Sequence, residues 1–174
     1  DSKTLVINSG CNGKFISVLD LNIGRSGFEY KYKLLPILSD YIKPSNIMTT
    51  HIEKSYKPYK KELSQVIGRS NIDLYRRGTF NGSFDQLICE SMVNVLGSDI
   101  SLSPGFRWGP SVLANDEITM NDIYSQTAIT YPNTYRREFS GESIKNILED
   151  VADNIFNPDP YMQQGGDMVR TTGL

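Results

Sequence analysis

Two neighbouring segments near the start of the chain alternate apolar and polar side chains, and this period of two constrains the fold more than any other feature. Residues 15–23 place four large apolar side chains on one side, and residues 28–34 alternate aromatic or leucine side chains with Glu and Lys. A glycine-flanked turn at residues 24–27 separates them. The pattern predicts a β-hairpin with one packed face and one solvated face. A short apolar run at residues 5–7 predicts a buried strand upstream.

The stretch between positions 45 and 70 predicts a helix that connects two parts of the chain. Its apolar side chains recur at spacings of three and four, which places them on one side of a helix. They are Ile52, Tyr56, Tyr59, Leu63 and Val66. Ser45 or Asn46 is suited to begin the helix, and Gly68 to end it. Because Pro58 has no backbone N–H, we expect a kink or two helical segments there.

Beyond Ser70, strand-like runs alternate with helical patterns. Strands are predicted at residues 72–75, 99–102 and 128–131. Helices are predicted at residues 84–95, at residues 121–126 and after Ser140, whose hydroxyl suits the start of a helix. The chain is therefore expected to be α/β or α+β.

Two loops in the second half of the chain each place an arginine among glycines and aromatic side chains. One is Ser103-Pro104-Gly105-Phe106-Arg107-Trp108-Gly109, and the other, at residues 161–170, contains Gly165, Gly166, Asp167 and Arg170. Glycine lets the backbone approach a ligand closely, and a guanidinium is a fork of donors suited to an oxyanion. Together the loops predict an anion-binding pocket, with two ordinary turns as the alternative.

Arg76 and Arg77 add two further guanidinium groups. A pocket with several arginines would bind a dianion such as phosphate, sulfate or a sulfonate. Adjacent strand residues point to opposite faces, so at most one of the pair is expected to face a pocket, and a surface pair is the alternative. Asp167 is suited to orient an arginine or to contact a substrate hydroxyl, with turn capping as the alternative.

The composition excludes several classes of function. The 174 residues carry a net charge of −2, which disfavours nucleic acid as a partner. No apolar run approaches the ~20 residues of a membrane span. The single histidine, His51, lies outside any cluster, and Asp and Glu do not fall at metal-ligand spacings. With Cys11 and Cys89 also far apart, we expect no metal site in this chain and no complete metallohydrolase.

Several motifs resemble the C-terminal domain of the 5′-nucleotidase superfamily. They are Tyr75-Arg76-Arg77-Gly78, Phe84-Asp85-Gln86-Leu87-Ile88-Cys89 and the segment from Ser103 to Gly109. The run at residues 148–161, continued by Gln163-Gln164-Gly165-Gly166-Asp167-Met168-Val169-Arg170, is similar to one family of that superfamily, the SoxB thiosulfohydrolases. The resemblance covers essentially the whole chain.

The resemblance implies a domain organisation. Residues 1–44 would be the last strands of a metallophosphoesterase domain, residues 45–70 a connector helix, and residues 71–174 a 5′-nucleotidase-like C-terminal substrate domain. The abrupt ends at Asp1 and Leu174 suggest a sequence cut on both sides, with the substrate domain truncated.

The resemblance also implies the chemistry of the parent protein, a metal-dependent hydrolase. SoxB proteins carry two metal ions, usually manganese, on Asp, His and Asn residues that would precede Asp1. Hydroxide activated by the metals releases sulfate from a cysteine S-thiosulfonate, which the SoxYZ carrier presents on a flexible arm in the periplasm. We therefore expect this chain to bind the arm and close the site, to hold no catalytic residue, and to be inactive alone.

The resemblance assigns substrate binding to particular positions. Arg107 matches the arginine of the nucleotidase Gly-Gly-Ile-Arg motif, and Arg76 falls near a second substrate-binding arginine. Phe106 and Trp108 depart from that glycine-rich motif and would narrow the pocket, which fits a slim peptide arm better than a nucleoside. Two alternatives remain, namely the substrate domain of a 5′-nucleotidase or other phosphoesterase, and a non-catalytic module that binds an anion or a carrier.

Overall fold

The computed structural model describes residues 4–11, 13–76, 78–105, 109–127 and 133–174. Strands and helices are mixed along the chain, which confirms the predicted α/β class. The elements are β1 (Phe15–Gly24), β2 (Gly27–Pro36), α1 (Asn46–Tyr56), α2 (Lys60–Leu63), β3 (Val66–Arg69), α3 (Ser83–Leu96), β4 (Ser101–Ser103), β5 (Glu117–Thr119), α4 (Met120–Thr127), α5 (Gly141–Phe156) and β6 (Arg170–Thr172). They form two compact units, Asp1–Pro58 and Tyr59–Leu174.

The first unit contains the predicted hairpin. Strands β1 and β2 pair antiparallel without a register shift, with Leu21 opposite Tyr30 and Ile23 opposite Phe28. The connection is a two-residue turn between Gly24 and Gly27, and Gly27 adopts a φ of 136° that side chains disfavour. The hairpin prediction is therefore confirmed by both its strands and its turn.

Two expectations for the first unit are wrong. The apolar face of the hairpin is exposed rather than packed, because the described residues of this unit supply no element that covers it; Tyr30 and Leu34, for example, remain about half exposed. Residues 5–7 form no strand, and Val6 is 91% exposed. An apolar run alone predicts burial only where another surface is present to receive it.

The predicted connector helix is two short helices. Helix α1 ends at Tyr56 and α2 begins at Lys60, so the expected break at Pro58 is confirmed. The expectation that the helix continues to Gly68 is wrong, because residues Val66–Arg69 form β3 and pair with β5. The β-branched pair Val66 and Ile67 favours a strand, and the register shift between Val66 and Gly68 lies at the glycine predicted as a helix end.

The second unit is built around a small core. Leu74, Phe84 and Val112 are buried there, and Ile88, Ile118 and Ile123 pack against them. Helix α3 contacts the antiparallel pair β4 and β6, and α4 follows β5 directly. The strand pairs β3–β5 and β4–β6 join segments that lie roughly 50 and 70 positions apart in sequence. This pairing fixes the ends of the loops that lie between the strands.

The other sequence predictions for this unit had mixed outcomes. Helices α3, α4 and α5 are confirmed, and Ser140 accepts a hydrogen bond from the Ser143 amide at the start of α5. The strand predicted at residues 99–102 is present two residues later as β4. The strand predicted at residues 72–75 is wrong, since only Leu74 bridges to Val112 there. The prediction at residues 128–131 lies outside the described residues.

Candidate functional site

The described parts of two loops that the sequence singled out lie against each other in the second unit. We call residues 103–110 the arginine loop and residues 163–170 the glycine loop. The arginine loop leaves β4, and the glycine loop enters β6, the strand paired with β4. A Cβ added at Gly105 would lie 2.8 Å from Cβ of Asp167 and would also collide with the carbonyl oxygen of Met168. Only glycine fits at this contact without a shift of one segment. That the two loops form an anion-binding pocket stays a prediction.

The predicted residues Phe106, Arg107 and Trp108 lie outside the described residues, while the segments on both sides of them are described. On the upstream side, the Pro104 carbonyl accepts a hydrogen bond from Nη2 of Arg76 at 3.1 Å. On the downstream side, the Pro110 carbonyl accepts one from Nε2 of Gln126 at 2.6 Å. Both stems of the arginine loop are therefore held by side chains from elsewhere in the unit.

Arg76 is a buried ion-pair partner. Its Nε donates to Oδ1 of Asp85 at 2.6 Å, and its Nη1 donates to the Gln126 carbonyl at 2.6 Å. Only 4% of the residue is exposed. The guanidinium thus connects three segments at once, using the planar set of donors that distinguishes arginine from lysine.

Arg170 is buried on the other side of Asp85. Its Nε lies 3.3 Å from Oδ2 of Asp85, and its Nη2 lies 3.5 Å from Oδ2 of Asp167. Nη1 donates to the Thr79 carbonyl at 2.6 Å and Nη2 to the Gly78 carbonyl at 2.9 Å. Arg170 therefore holds the glycine loop against the segment that precedes α3.

Among the described residues, the charges of this cluster are balanced. Two guanidinium groups, on Arg76 and Arg170, face two carboxylates, on Asp85 and Asp167. Charges removed from water need such partners, because the interior solvates an isolated ion poorly. The geometry gives both arginines a role in holding the loops; their direct contact with a substrate stays a prediction. Asp167 is ion-paired with Arg170, the contact that one of its predicted roles requires, and the role itself stays a prediction.

Sequence reasoning missed Asp85 and Gln126 as site residues. Asp85 is 1% exposed, and its Oδ2 also accepts the Gly82 amide at 2.9 Å near the start of α3. Two signals could have identified Asp85. It is an acidic residue in the first turn of a predicted helix, and it belongs to one of the motifs that carry the family resemblance. Gln126 is equally buried, and nothing in its local sequence distinguishes it from an exposed helix residue.

Gly165 and Gly166 lie on an open surface. Both have positive φ, 82° and 102°, and a Cβ added at either would meet nothing within 4 Å. The Gly165 amide donates to the carbonyl of Asn154 on α5, the helix that ends at Phe156. Phe156 and Phe80 are both exposed. The rings of Phe156 and Phe80 lie 6.5 Å apart at an interplanar angle of 18°. An open backbone beside exposed aromatic rings is suited to contact a peptide segment.

Cys89 lies one helical turn after Asp85 on α3 and is completely buried. Burial raises the pKa of its thiol above the usual value, because a thiolate would be poorly solvated there. Its neighbours are charged, yet Asp85 adds to the rise in pKa while Arg76 and Arg170 oppose it. A protonated thiol of this kind packs as a small apolar side chain.

Within the described ranges, no three His, Cys, Asp or Glu side chains gather into a group that could hold a metal ion. The residues therefore do not fit a two-metal site. In the same ranges, no helix is long and apolar enough to cross a membrane.

Comparison with known proteins gives two likenesses that bear on this site. Over 92% of its length the chain is similar to the sulfate thiohydrolase SoxB of Thermus thermophilus, with 31% sequence identity and a TM-score of 0.86. It is also similar, over 92% of its length, to a 5′-nucleotidase precursor from the same organism, with 19% identity and a TM-score of 0.66, a likeness of fold alone. The chain spans 30% and 32% of those two proteins. No family model and no curated protein matches it.

These likenesses confirm the resemblance drawn from the motifs at residues 75–109 and 148–170. They also confirm a fold shared with the C-terminal part of the superfamily.

Proposed function

The chain is a SoxB-like C-terminal portion, and we propose that it is the substrate-binding part of a hydrolase that releases sulfate from a cysteine S-thiosulfonate on a carrier protein. The observation that carries the proposal is the likeness to a sulfate thiohydrolase over nearly the whole chain, at 31% identity. Because the chain spans under a third of that protein, the reaction belongs to the complete enzyme, and this chain contributes binding and orientation.

The arginine loop is the proposed anion-binding element. Arg107 would pair with the terminal sulfonate oxygens, to which a guanidinium can donate two parallel hydrogen bonds. Phe106 and Trp108 would wall the site and exclude water, which strengthens that electrostatic interaction. The hydrogen bonds accepted by the carbonyls of Pro104 and Pro110 support this assignment, because a loop that must place an anion within hydrogen-bond distance needs fixed stems.

The glycine loop is the proposed surface for the carrier arm. Gly165 and Gly166 present open backbone, and the Gly165 amide is bonded to α5, which carries Phe156 of the exposed Phe80–Phe156 pair at its end. An extended arm, for which we propose the SoxYZ carrier as the source, would pair with the backbone and cover the rings. Asp167 would act there through Arg170, to which it is ion-paired.

The remaining assignments follow from the resemblance. We propose that the parent enzyme uses two manganese ions; since the described residues gather no such ligand set, these would be held by residues outside them. Arg76 and Arg170 would serve the substrate by holding the two loops in place. A periplasmic location stays a prediction of the same kind.

The decisive experiment compares two products in the complete enzyme, reconstituted with manganese. Sulfate release is followed from a thiosulfonate-modified carrier, and phosphate release from a nucleoside monophosphate. We expect sulfate and no phosphate. Phosphate alone would move the protein to the nucleotidases, whose fold it shares with a TM-score of 0.66. Carrier binding without either product would identify a non-catalytic module.

Substitution of Arg107 tests the role of the arginine loop. We expect Arg107→Ala to lower turnover by about a hundredfold, the usual loss when a donor to a developing oxyanion is removed. Trp108→Ala is expected to weaken carrier affinity. Wild-type turnover in a well-folded Arg107→Ala protein would refute the assignment.

A further inference from the structure

Gln126 contacts the downstream stem of the arginine loop from the protein interior. The residue lies near the end of α4, and only 1% of it is exposed. Its Nε2 donates to the Pro110 carbonyl at 2.6 Å, and this contact fixes the orientation of the amide, since a carbonyl can only accept. A Cβ added at Gly109 would lie 2.6 Å from the same nitrogen. The stem therefore rests directly on this side chain.

The upstream stem is connected to the same residue through Arg76. The guanidinium of Arg76 donates from Nη1 to the main-chain carbonyl of Gln126 at 2.6 Å and from Nη2 to the carbonyl of Pro104 at 3.1 Å. Asp85 holds that guanidinium from a third side. One end of α4 thus contacts both ends of the loop, through the side chain of Gln126 on the downstream side and through Arg76 on the upstream side.

We infer that Gln126 is a positioning residue, which fixes the arginine loop so that the residues between its stems meet the substrate anion; this rests on the proposed function. Gln126 itself is too buried to touch a substrate. It acts by setting the position of Pro110 relative to Pro104. A displacement of about 1 Å in such an element is enough to cost up to about a hundredfold in rate.

The side chain is not the one that stability alone would favour at this place. Among the described residues, its buried Oε1 has no hydrogen-bond partner, which costs free energy. Methionine has nearly the same shape and no unsatisfied polar atom. The Nε2 contact with Pro110 is what glutamine provides and methionine cannot. Gln126→Met therefore keeps the volume of the side chain and removes only its hydrogen bond to Pro110, so it distinguishes a positioning role from a packing role.

The test compares Gln126→Met with Tyr124→Phe, a control on the same helix. Tyr124 donates to Glu62 of α2 at 2.8 Å, so the control also loses one hydrogen bond, but one that does not involve the arginine loop. Steady-state kinetics are measured in the complete enzyme with the thiosulfonate-modified carrier. Acrylamide quenching is measured in the 174-residue chain, where Trp108 is the only tryptophan and lies between the two stems in sequence.

We expect Gln126→Met to lower kcat/KM about tenfold or more, with a fall in kcat as well as a rise in KM, since the loop binds the anion before and during reaction. The acrylamide quenching constant of Trp108 should change about twofold. The urea midpoint of Gln126→Met should equal that of Tyr124→Phe. Wild-type kcat/KM and wild-type quenching in a folded Gln126→Met protein would overturn the inference.

A second variant and the quenching readout keep the inference testable if Gln126→Met does not fold or the enzyme releases no sulfate. If Gln126→Met does not fold, Gln126→Asn is used, which keeps the amide but shortens its reach; wild-type kcat/KM and quenching in that variant would equally refute the role. If the wild-type enzyme releases no sulfate, the proposed function fails. The quenching comparison still decides whether Gln126 positions the loop, because it needs no substrate.

Discussion

Nε of Arg76 lies 2.6 Å from Oδ1 of Asp85, and the side chains are only 3% and 0% exposed. The second oxygen of the same carboxylate faces Arg170 at 3.3 Å and accepts the Gly82 amide. One buried carboxylate thereby joins Arg76, which holds the arginine loop, to Arg170, the last residue of the glycine loop. The two loops cannot take independent positions while Asp85 holds both guanidinium groups.

Removal of the Asp85 carboxylate is therefore expected to destabilise the second unit strongly. Asp85→Ala would take from Arg76 and Arg170 the buried carboxylate that both of them face. Breaking a buried pair on one side costs about 3–5 kcal/mol, because the remaining charge is desolvated without its partner. The free energy of unfolding, measured by urea titration, should fall by that amount.

The control for this variant is an ion pair of similar length on the surface. Arg69 and Glu117 lie 3.1 Å apart, but their side chains are 62% and 52% exposed. Glu117→Ala should change the free energy of unfolding by less than about 1 kcal/mol, since water already solvates both groups. Equal losses in Asp85→Ala and Glu117→Ala would show that burial of the cluster contributes nothing to stability.

The contact between the two loops predicts a steric effect at Gly105. Gly105→Ala would place a methyl group 2.8 Å from Cβ of Asp167 and against the Met168 carbonyl, so one loop must move. Overpacking of this kind costs about 1–3 kcal/mol. We expect a lower urea midpoint and, in the complete enzyme, a higher KM for the carrier.

Gly141→Ala is the matched control for that substitution. It introduces the same methyl group at the start of α5, where nothing lies within 4 Å. The change in the free energy of unfolding should stay within about 0.5 kcal/mol. If Gly105→Ala behaves like Gly141→Ala in both stability and KM, the loops do not depend on each other as the structure indicates.

Local patterns predicted the elements whose interactions are themselves local. The hairpin followed from its alternation, and α5 followed from Ser140 and the apolar side chains after it. Val66 was assigned to a helix because its spacing continued that of Leu63, whereas its actual partner is Thr119 on β5. Pairing over such a distance leaves no periodic signal in one sequence.

Sequence reasoning selected both loops but missed the buried cluster that holds them, and substrate binding by the loops stays a prediction. Glycine, aromatic and arginine residues identified both loops, since those residue types are rare together. The sequence could not reveal that Arg170 would meet Asp85, because that contact depends on the pairing of β4 with β6. An arginine can be buried only where acceptors surround its guanidinium. Those of Arg170 include the main-chain carbonyls of Gly78 and Thr79. A pattern of side chains cannot predict such main-chain acceptors.

The exposed aromatic pair predicts where a carrier would dock. Phe80 and Phe156 are 66% and 56% exposed, so their replacement by serine should change the free energy of unfolding by about 0.5 kcal/mol or less. Loss of two aromatic anchors from an interface should weaken carrier affinity by about tenfold or more. Titration of the carrier against the double variant, by calorimetry, measures this.

Tyr59→Ser serves as the control for the docking surface, because Tyr59 is similarly exposed but lies far from the glycine loop in sequence. It should bind the carrier as the wild type does. If Tyr59→Ser and the double variant lost carrier affinity equally, the loss would reflect general surface hydrophobicity. Unchanged affinity in the Phe80 and Phe156 double variant would place the carrier elsewhere.

The two cysteines should differ sharply in reactivity. Cys11 is exposed, whereas Cys89 is completely buried and burial raises its pKa. A raised pKa keeps the thiol protonated up to a higher pH, and the thiolate is the form that reacts. At pH 8 a thiol reagent should therefore label one site in the native chain, none in Cys11→Ser, and both cysteines in urea. Rapid labelling of Cys89 in the folded protein would mean that α3 separates readily from β4, and that the buried cluster beside it is not the rigid support of the loops described above.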